Sequence, residues 1–235
     1  MEGRAPLPDP GRYRLVVFDL DGTLYRQGPV RRRMALELLA AGGAGGRLTR
    51  LRVLRRYRAL REHYAETTPR GFGRRLFAQL AAETGRDEGW LEALVEEWME
   101  RRPLRWLAGA RVEGAAELFA ALRTRGARVA VWSDYPVRDK LAALGLAADH
   151  MVSACDPGLD ALKPDPAGLR LAMEAAGVGP GETLMVGDRQ SRDGAAAAAL
   201  GVDFLLRADA PPRGGGGVHH VKDFVPLLDR EPVGA

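Results

Sequence analysis

The sequence predicts an α/β fold in which a parallel sheet is covered by helices on both faces. Three observations carry that expectation. Five short apolar runs are bounded by charged residues or turn formers, as buried strands are. From about residue 107 onward, these runs alternate with segments of one-face helical spacing. Acidic residues recur just past the carboxyl ends of the runs, where open parallel sheets bind their ligands.

The strands are expected at residues 15–20, 128–133, 150–153, 183–186 and 203–206. Before the second of them, Val112, Ala115, Ala116, Phe119 and Leu122 share one helix face, and Gly126 stops that helix. Asp165 and Pro166 open a further helix that Gly177 ends. Residues 25–106 contain no convincing strand and read as an all-helical insertion after the first strand. Leu91, Leu94, Val95 and Trp98 mark one apolar face within it, and Leu51, Leu54, Tyr57, Leu60 and Tyr64 a less regular one. Gly42, Gly43, Gly45 and Gly46 suggest a flexible joint, since the run lacks the Gly-Lys-Ser/Thr ending of a phosphate-binding loop. The expected division is a core of residues 11–24 and 107–210, a helical insertion of 25–106, and a C-terminal extension of the core at 211–235.

Composition narrows the function classes. A 46% hydrophobic content in 235 residues supports a folded core and argues against disorder throughout. No apolar run approaches the roughly 20 residues that span a membrane, and residues 1–11 lack a signal-peptide stretch, so a cytoplasmic location is the expectation. Cys155 is the single cysteine, and neither CxxC nor HExxH occurs, which argues against a disulfide framework and a structural zinc site. His219 and His220 follow a four-glycine run and read as a solvated loop. The isoelectric point near 9.6 invites a nucleic-acid reading. However, the net charge is only +4, and the chain has no Asn, no Ile and just three lysines, Lys140, Lys163 and Lys222. Arginine used generally in place of lysine accounts for much of the basic character, and nucleic acid is not an expected partner.

The chemistry is concentrated at strand ends. Val16-Val17-Phe18-Asp19-Leu20-Asp21-Gly22-Thr23 delivers two acids, one residue apart, into a glycine turn. Neighbouring carboxylates repel, and a hard cation with oxygen ligands, Mg²⁺ above all, relieves that cost. The strand at 183–186 ends similarly in Gly187-Asp188, with Asp193 five residues on. Asp188 is placed to complete a metal site, while Asp193 is either a helix N-cap or a neighbour of the metal. Ser133 follows the second strand, where a hydroxyl can donate to a phosphate oxygen or form a turn with Asp134. Lys163 precedes Pro164-Asp165-Pro166, and a lysine in so arginine-rich a chain points to a need for a compact ammonium.

Together these four motifs resemble those of the haloacid dehalogenase superfamily, over residues 14–24 and 107–207. The resemblance implies a Rossmann-like core with a helical cap inserted after the first motif. It also implies a phosphatase with Asp19 as the nucleophile that becomes phosphorylated and Asp21 as the acid and then the base. Mg²⁺ would be held by Asp19, the Asp21 carbonyl and Asp188, with Asp193 close by, and Ser133 and Lys163 would bind the phosphoryl group. Asp21 argues against carbon–halogen cleavage, and the absence of lysine from residues 25–106 argues against carbon–phosphorus cleavage. A sugar-phosphate mutase would need a second hydroxyl held by the cap, and none is identified. A non-catalytic regulatory protein on this fold would be expected to lack Asp19, Asp21 or Lys163. The expected substrate is a small phosphorylated metabolite, and oligomeric state is open. His63, Tyr64, Arg70 and Phe72, around Thr67-Thr68-Pro69, form a candidate specificity loop or an ordinary helix connection. The arginines between Arg47 and Arg75 form either an anion-attracting surface or a solvated helix face. Lys140 and Lys222 are expected on the surface.

Overall fold

The computed structural model describes residues 9–41, 44–210 and 219–228. Six parallel strands form one sheet: β1 (Leu15–Phe18), β2 (Arg128–Ser133), β3 (His150–Ser153), β4 (Thr183–Gly187), β5 (Asp203–Arg207) and β6 (His220–Val221), in the order β3-β2-β1-β4-β5-β6. The order reverses around β1. The chain runs outward through β2 and β3 on one side, then crosses to β4 on the other. Phe18 lies level with Val131 of β2 and Val186 of β4, so the carboxyl ends of these three strands share one edge. That edge, beside the switch point, is where a crevice opens in such sheets.

Every residue of β1 is fully buried, because helices cover both faces of the sheet. Leu15 and Val17 pack with Trp132 and Met185 against α8 (Ala167–Ala176) and α9 (Ala195–Leu200). Val16 and Phe18 face the other way, toward Leu118, Phe119 and Leu122 of α6 (Ala115–Thr124). α7 (Arg138–Ala143) follows β2 and adds Leu141 to that same core.

Between β1 and α6 the chain forms α1 (Gln27–Ala40), α2 (Ala44–Thr67), α3 (Phe72–Thr84), α4 (Glu88–Val95), a π-helical turn at Glu96–Arg101, and α5 (Leu104–Leu107). The expected apolar faces are inside: Leu54, Tyr57 and Leu60 of α2, and Leu91, Leu94, Val95 and Trp98, are all buried in one cluster with the α6 side of the core.

Three local expectations are corrected. Gly45 and Gly46 lie within α2 and form no joint, because helix packing on the buried face outweighs glycine's weak propensity; Gly42 and Gly43 lie outside the described residues. His220 belongs to β6 and not to a loop, since its backbone pairs with β5; the glycine run before it lies outside the described residues. Strand β1 stops at Phe18, and the chain turns so that Asp19 N–H still reaches the Val186 carbonyl at 2.8 Å. Among the described residues, no helix is long and apolar enough to cross a membrane.

Candidate active site

The turn after β1 folds back tightly on the end of β4. Gly22 has φ of +106°, and a Cβ there would lie 2.0 Å from Asp188 Oδ2, so only glycine fits between the two acidic loops. Gly187 serves the same purpose one strand over, where a Cβ would meet Asp193 Cγ at 2.3 Å. These contacts gather Asp19, Asp188 and Asp193 so closely that one carboxylate oxygen from each lies within 4.8 Å of the others.

Lys163 supplies the first counter-charge. Its Nζ donates at 2.7 Å to Asp19 Oδ1, at 2.7 Å to Asp193 Oδ1 and at 2.9 Å to the Trp132 carbonyl. Its side chain is 2% exposed, and the loop carrying it is held by Asp134 Oδ1, which accepts from Lys163 N–H, and by Arg192, which donates to the Lys163 carbonyl. Burial opposes the ammonium, yet Asp19 and Asp193 raise its pKa and keep it charged. One ammonium is not enough for three carboxylates. Burial, then repulsion from Asp193 and Asp188 acting against Lys163, pushes Asp19 well above the usual carboxylate range. Burial and Asp193 raise Asp188 to about 7. A buried set of hard oxygen donors, short of positive charge, suits a small dication such as Mg²⁺.

Asp21 points elsewhere. Its Oδ1 accepts from Lys140 Nζ at 2.7 Å and from the Tyr25 hydroxyl, and its Oδ2 accepts from Ser133 Oγ at 3.1 Å. Burial alone would raise its pKa, but the ion pair with Lys140 and the two hydroxyls hold it below the ordinary value. The Asp21 carbonyl accepts from Gln27 Nε2. Ser133 also accepts from Tyr135 N–H at 3.0 Å, which fixes its hydroxyl in the wall of the site. Thr23 Oγ1 donates to Asp19 Oδ2 at 2.8 Å and orients that carboxylate.

Asp19, Asp21, Ser133, Lys163, Asp188 and Asp193 therefore line a single cavity of about 350 Å³. Its other wall comes from the helices between β1 and α6, through Gln27, Arg31, Arg61, Glu62 and Ala65. The helices are tied to the core around its rim. Glu62 accepts from Arg189 at 2.8 and 2.9 Å and from Arg192 at 2.7 Å. Arg61, 5% exposed, donates to the Asp134 carbonyl and lies 4.2 Å from the centre of the Tyr135 ring.

Lys140 is a correction: it is 4% exposed, and its ammonium reaches Asp21 from α7. The scarcity of lysine, which singled out Lys163, applied equally to Lys140, so the signal was in the sequence. Of the two readings of residues 63–72, the geometry is that of a connection between α2 and α3. His63 and Tyr64 lie within α2, Arg70 is paired with Asp165 on the core, and Phe72 is buried in the hydrophobic cluster. None of these four lines the cavity around Asp19. Of the arginines between Arg47 and Arg75, Arg61 is buried and lines this cavity, Arg58 is exposed and lines an adjoining one, and others such as Arg55 are exposed and line neither. No motif in the sequence marked Gln27, and nothing set Arg58 and Arg61 apart from the other arginines between Arg47 and Arg75, because their placement depends on how the helices dock.

The family model for haloacid dehalogenase-like hydrolases matches residues 13–201. A phosphoglycolate phosphatase of Rhodospirillum rubrum is 41% identical over 104 residues, a match spanning 43% of this chain and 43% of that protein. An N-acetylmuramic acid 6-phosphate phosphatase of Pseudomonas putida is 28% identical over 217 residues, covering 88% of this chain and 91% of the relative. In fold, the chain is similar to the crystal structure of a HAD phosphatase from Thermococcus onnurineus, with a TM-score of 0.65 at 22% identity over 91% of this chain and 95% of that one. The family match takes in the turn after β1, Lys140, Lys163 and the acidic loop after β4, and this chain accordingly belongs to the haloacid dehalogenase-like hydrolase family.

Proposed function

We propose that this protein is a phosphatase that hydrolyses small phosphate monoesters through a phosphorylated Asp19. The observation that carries the reading is Lys163 Nζ held 2.7 Å from Asp19 Oδ1 on the floor of a cavity that Asp21 enters from the side. Two relatives named as phosphatases support the same reaction class, and their differing names leave the substrate to be argued from this chain. Residues 25–106 act as a cap over a core of 11–24 and 107–210.

An Asp19 carboxylate oxygen attacks phosphorus, a new P–O bond forms, and the ester P–O bond breaks. Lys163 keeps the attacking carboxylate oriented and offsets charge gathering on the phosphoryl oxygens. Asp21, protonated for this step, lies beside the departing oxygen and gives it a proton, which leaves Asp21 ionised for the second half. In the second half, Asp21 takes a proton from water as that water attacks phosphorus, and Asp19 is released with inorganic phosphate. The Lys140 pair favours the ionised Asp21 that this second half requires. Asp19, Asp188 and the Asp21 carbonyl would hold Mg²⁺, with Asp193, whose carboxylate lies in the same cluster of oxygens, close by. Bound there, the ion would neutralise the nucleophile and the phosphoryl oxygens against their mutual repulsion. Ser133 Oγ, in the cavity wall, becomes a donor for a phosphoryl oxygen once its proton turns from Asp21 Oδ2.

The test is release of inorganic phosphate from p-nitrophenyl phosphate with Mg²⁺, with and without chelator, for wild type and Asp19→Asn. Phosphate release also separates hydrolysis from a mutase that returns the phosphoryl group to substrate. Chelator should abolish turnover, and Asp19→Asn should lose at least about a thousandfold while melting as a folded protein. Retention of a tenth of wild-type turnover by Asp19→Asn would rule out the nucleophile assignment.

A further inference from the structure

Beyond Asp21, on the side away from Lys163, a second and smaller pocket of about 110 Å³ opens toward the helices. Its apolar wall is Val30 and Met34 of α1 with Trp98 and Met99 of the π-helical turn; Val30, Met34 and Trp98 are buried. Its polar wall carries three cations, Lys140, Arg31 and Arg58, and two acids, Asp21 and Glu62. The acids are already committed. Asp21 is paired with Lys140, and Glu62 with Arg189 and Arg192. Arg31 and Arg58 are left over. Among the described residues, neither has a carboxylate at ion-pair distance, and the hydrogen bond that Arg58 makes goes to Met99 Sδ at 3.2 Å.

We propose that Arg31 and Arg58 form a subsite for a second anionic group carried by the leaving group of the substrate. The inference rests on the phosphatase reading for the direction in which the leaving group lies. Asp21 meets the departing oxygen, and Asp21 and its partner Tyr25 line the same pocket as Arg31 and Arg58, so the two cations border the side on which the leaving group lies. Arg58 and Arg31 are exposed at the rim of the pocket and repel each other, and an anion between the two offsets that repulsion. A guanidinium fork matches carboxylate and phosphate geometry, and the apolar wall suits the short hydrocarbon link between the two anionic ends. Glu100, which feels Lys140 and Arg61, opens into a separate groove beside Cys155 and does not fill this pocket.

The experiment compares kcat/KM for 2-phosphoglycolate with that for ethyl phosphate, in which a methyl group replaces the carboxylate. The readout is the ratio of the two in wild type, Arg31→Gln and Arg58→Gln, with Arg55→Gln as a control that removes a charge from the exposed side of α2. Wild type should prefer the carboxylated ester at least tenfold, both pocket variants should lose that preference, and Arg55→Gln should keep it. Ethylene glycol bisphosphate, run alongside, tells a carboxylate from a second phosphate as the preferred anion, and preference for either over ethyl phosphate supports the subsite. Equal ratios in wild type and both variants would overturn it. Calorimetric binding of 3-phosphonopropionate against propylphosphonate, neither an ester, gives the same comparison without turnover. If no monoester is hydrolysed while the phosphonocarboxylate still binds at least tenfold tighter and the arginine variants lose that margin, the phosphatase reading has failed and the subsite stands.

Discussion

Two buried lysines pair with Asp19 and Asp21, carboxylates two positions apart in the chain, and they do opposite things. Lys140 meets one acid, Asp21, which two hydroxyls also serve, and the result is a complete ion pair with Asp21 held below its ordinary pKa. Lys163 meets two acids, Asp19 and Asp193, with a third, Asp188, alongside, and the result is a cluster short of positive charge in which Asp19 and Asp188 are pushed upward. The first arrangement is finished by the protein itself. The second is left with more negative than positive charge. The difference shows that burying a lysine against a carboxylate says little by itself; the balance of charge around the pair decides whether it is structure or a receptor.

The sharpest way to break this comparison is to remove the finished pair. Lys140→Gln leaves Asp21 buried without its cation, a change expected to cost about 3–5 kcal/mol where Asp21 is ionised. Asp21 has a lowered folded pKa, so the stability contributed by the pair is present above the unfolded carboxylate value and lost as pH falls through the lower folded one. The deficit of Lys140→Gln, read by urea melts, should therefore be large at pH 7 and shrink in acid. A deficit equal at both pH values would show that Lys140 acts by packing alone.

The charge-poor side is tested by shape. Lys163→Arg keeps the charge but replaces a compact ammonium, seated among three oxygens, with a forked guanidinium. The expected loss in kcat/KM corresponds to about 2–4 kcal/mol of transition-state stabilisation, similar to removing a preorganised donor. Wild-type kcat/KM in this variant would contradict the assignment of Lys163 to the phosphoryl site.

A smaller effect sharpens the contrast through metal. The folded pKa of Asp188, about 7, exceeds the ordinary value, so between roughly pH 4 and 7 the folded protein binds more protons than the unfolded chain. Stability of the metal-free protein from this source is lost as pH rises through about 7. Mg²⁺ prefers the ionised carboxylates, and its addition should raise the melting temperature more at pH 8 than at pH 5. An identical rise at both values would mean that the ion binds away from this cluster. The smallest effect is expected from Lys222→Arg, an exposed residue, at within about 0.5 kcal/mol.

The strands and their acidic ends were legible because they are local. A buried parallel strand must be apolar on both faces, and a turn that lets two acidic loops touch must contain glycine, so residues 15–24 and 183–188 announce themselves without any partner in view. The scarcity of lysine was likewise legible, and it marked Lys163; read consistently, it would have marked Lys140 too. What the tertiary structure alone decided is direction. Asp19 and Asp21 are two positions apart, yet one faces Asp188 and Asp193 and the other faces α7, because the strand stops at Phe18 and both acids lie in the turn that follows it. Arg58 and Arg61 lie three residues apart on one helix, and only the docking of α2 on the core places the first beyond Asp21 and the second over Tyr135. Sequence spacing states which side chains share a strand or a helix; which of them meet across elements depends on long-range packing, and in this protein that packing turned Lys140 inward and brought arginines of a helix into the site.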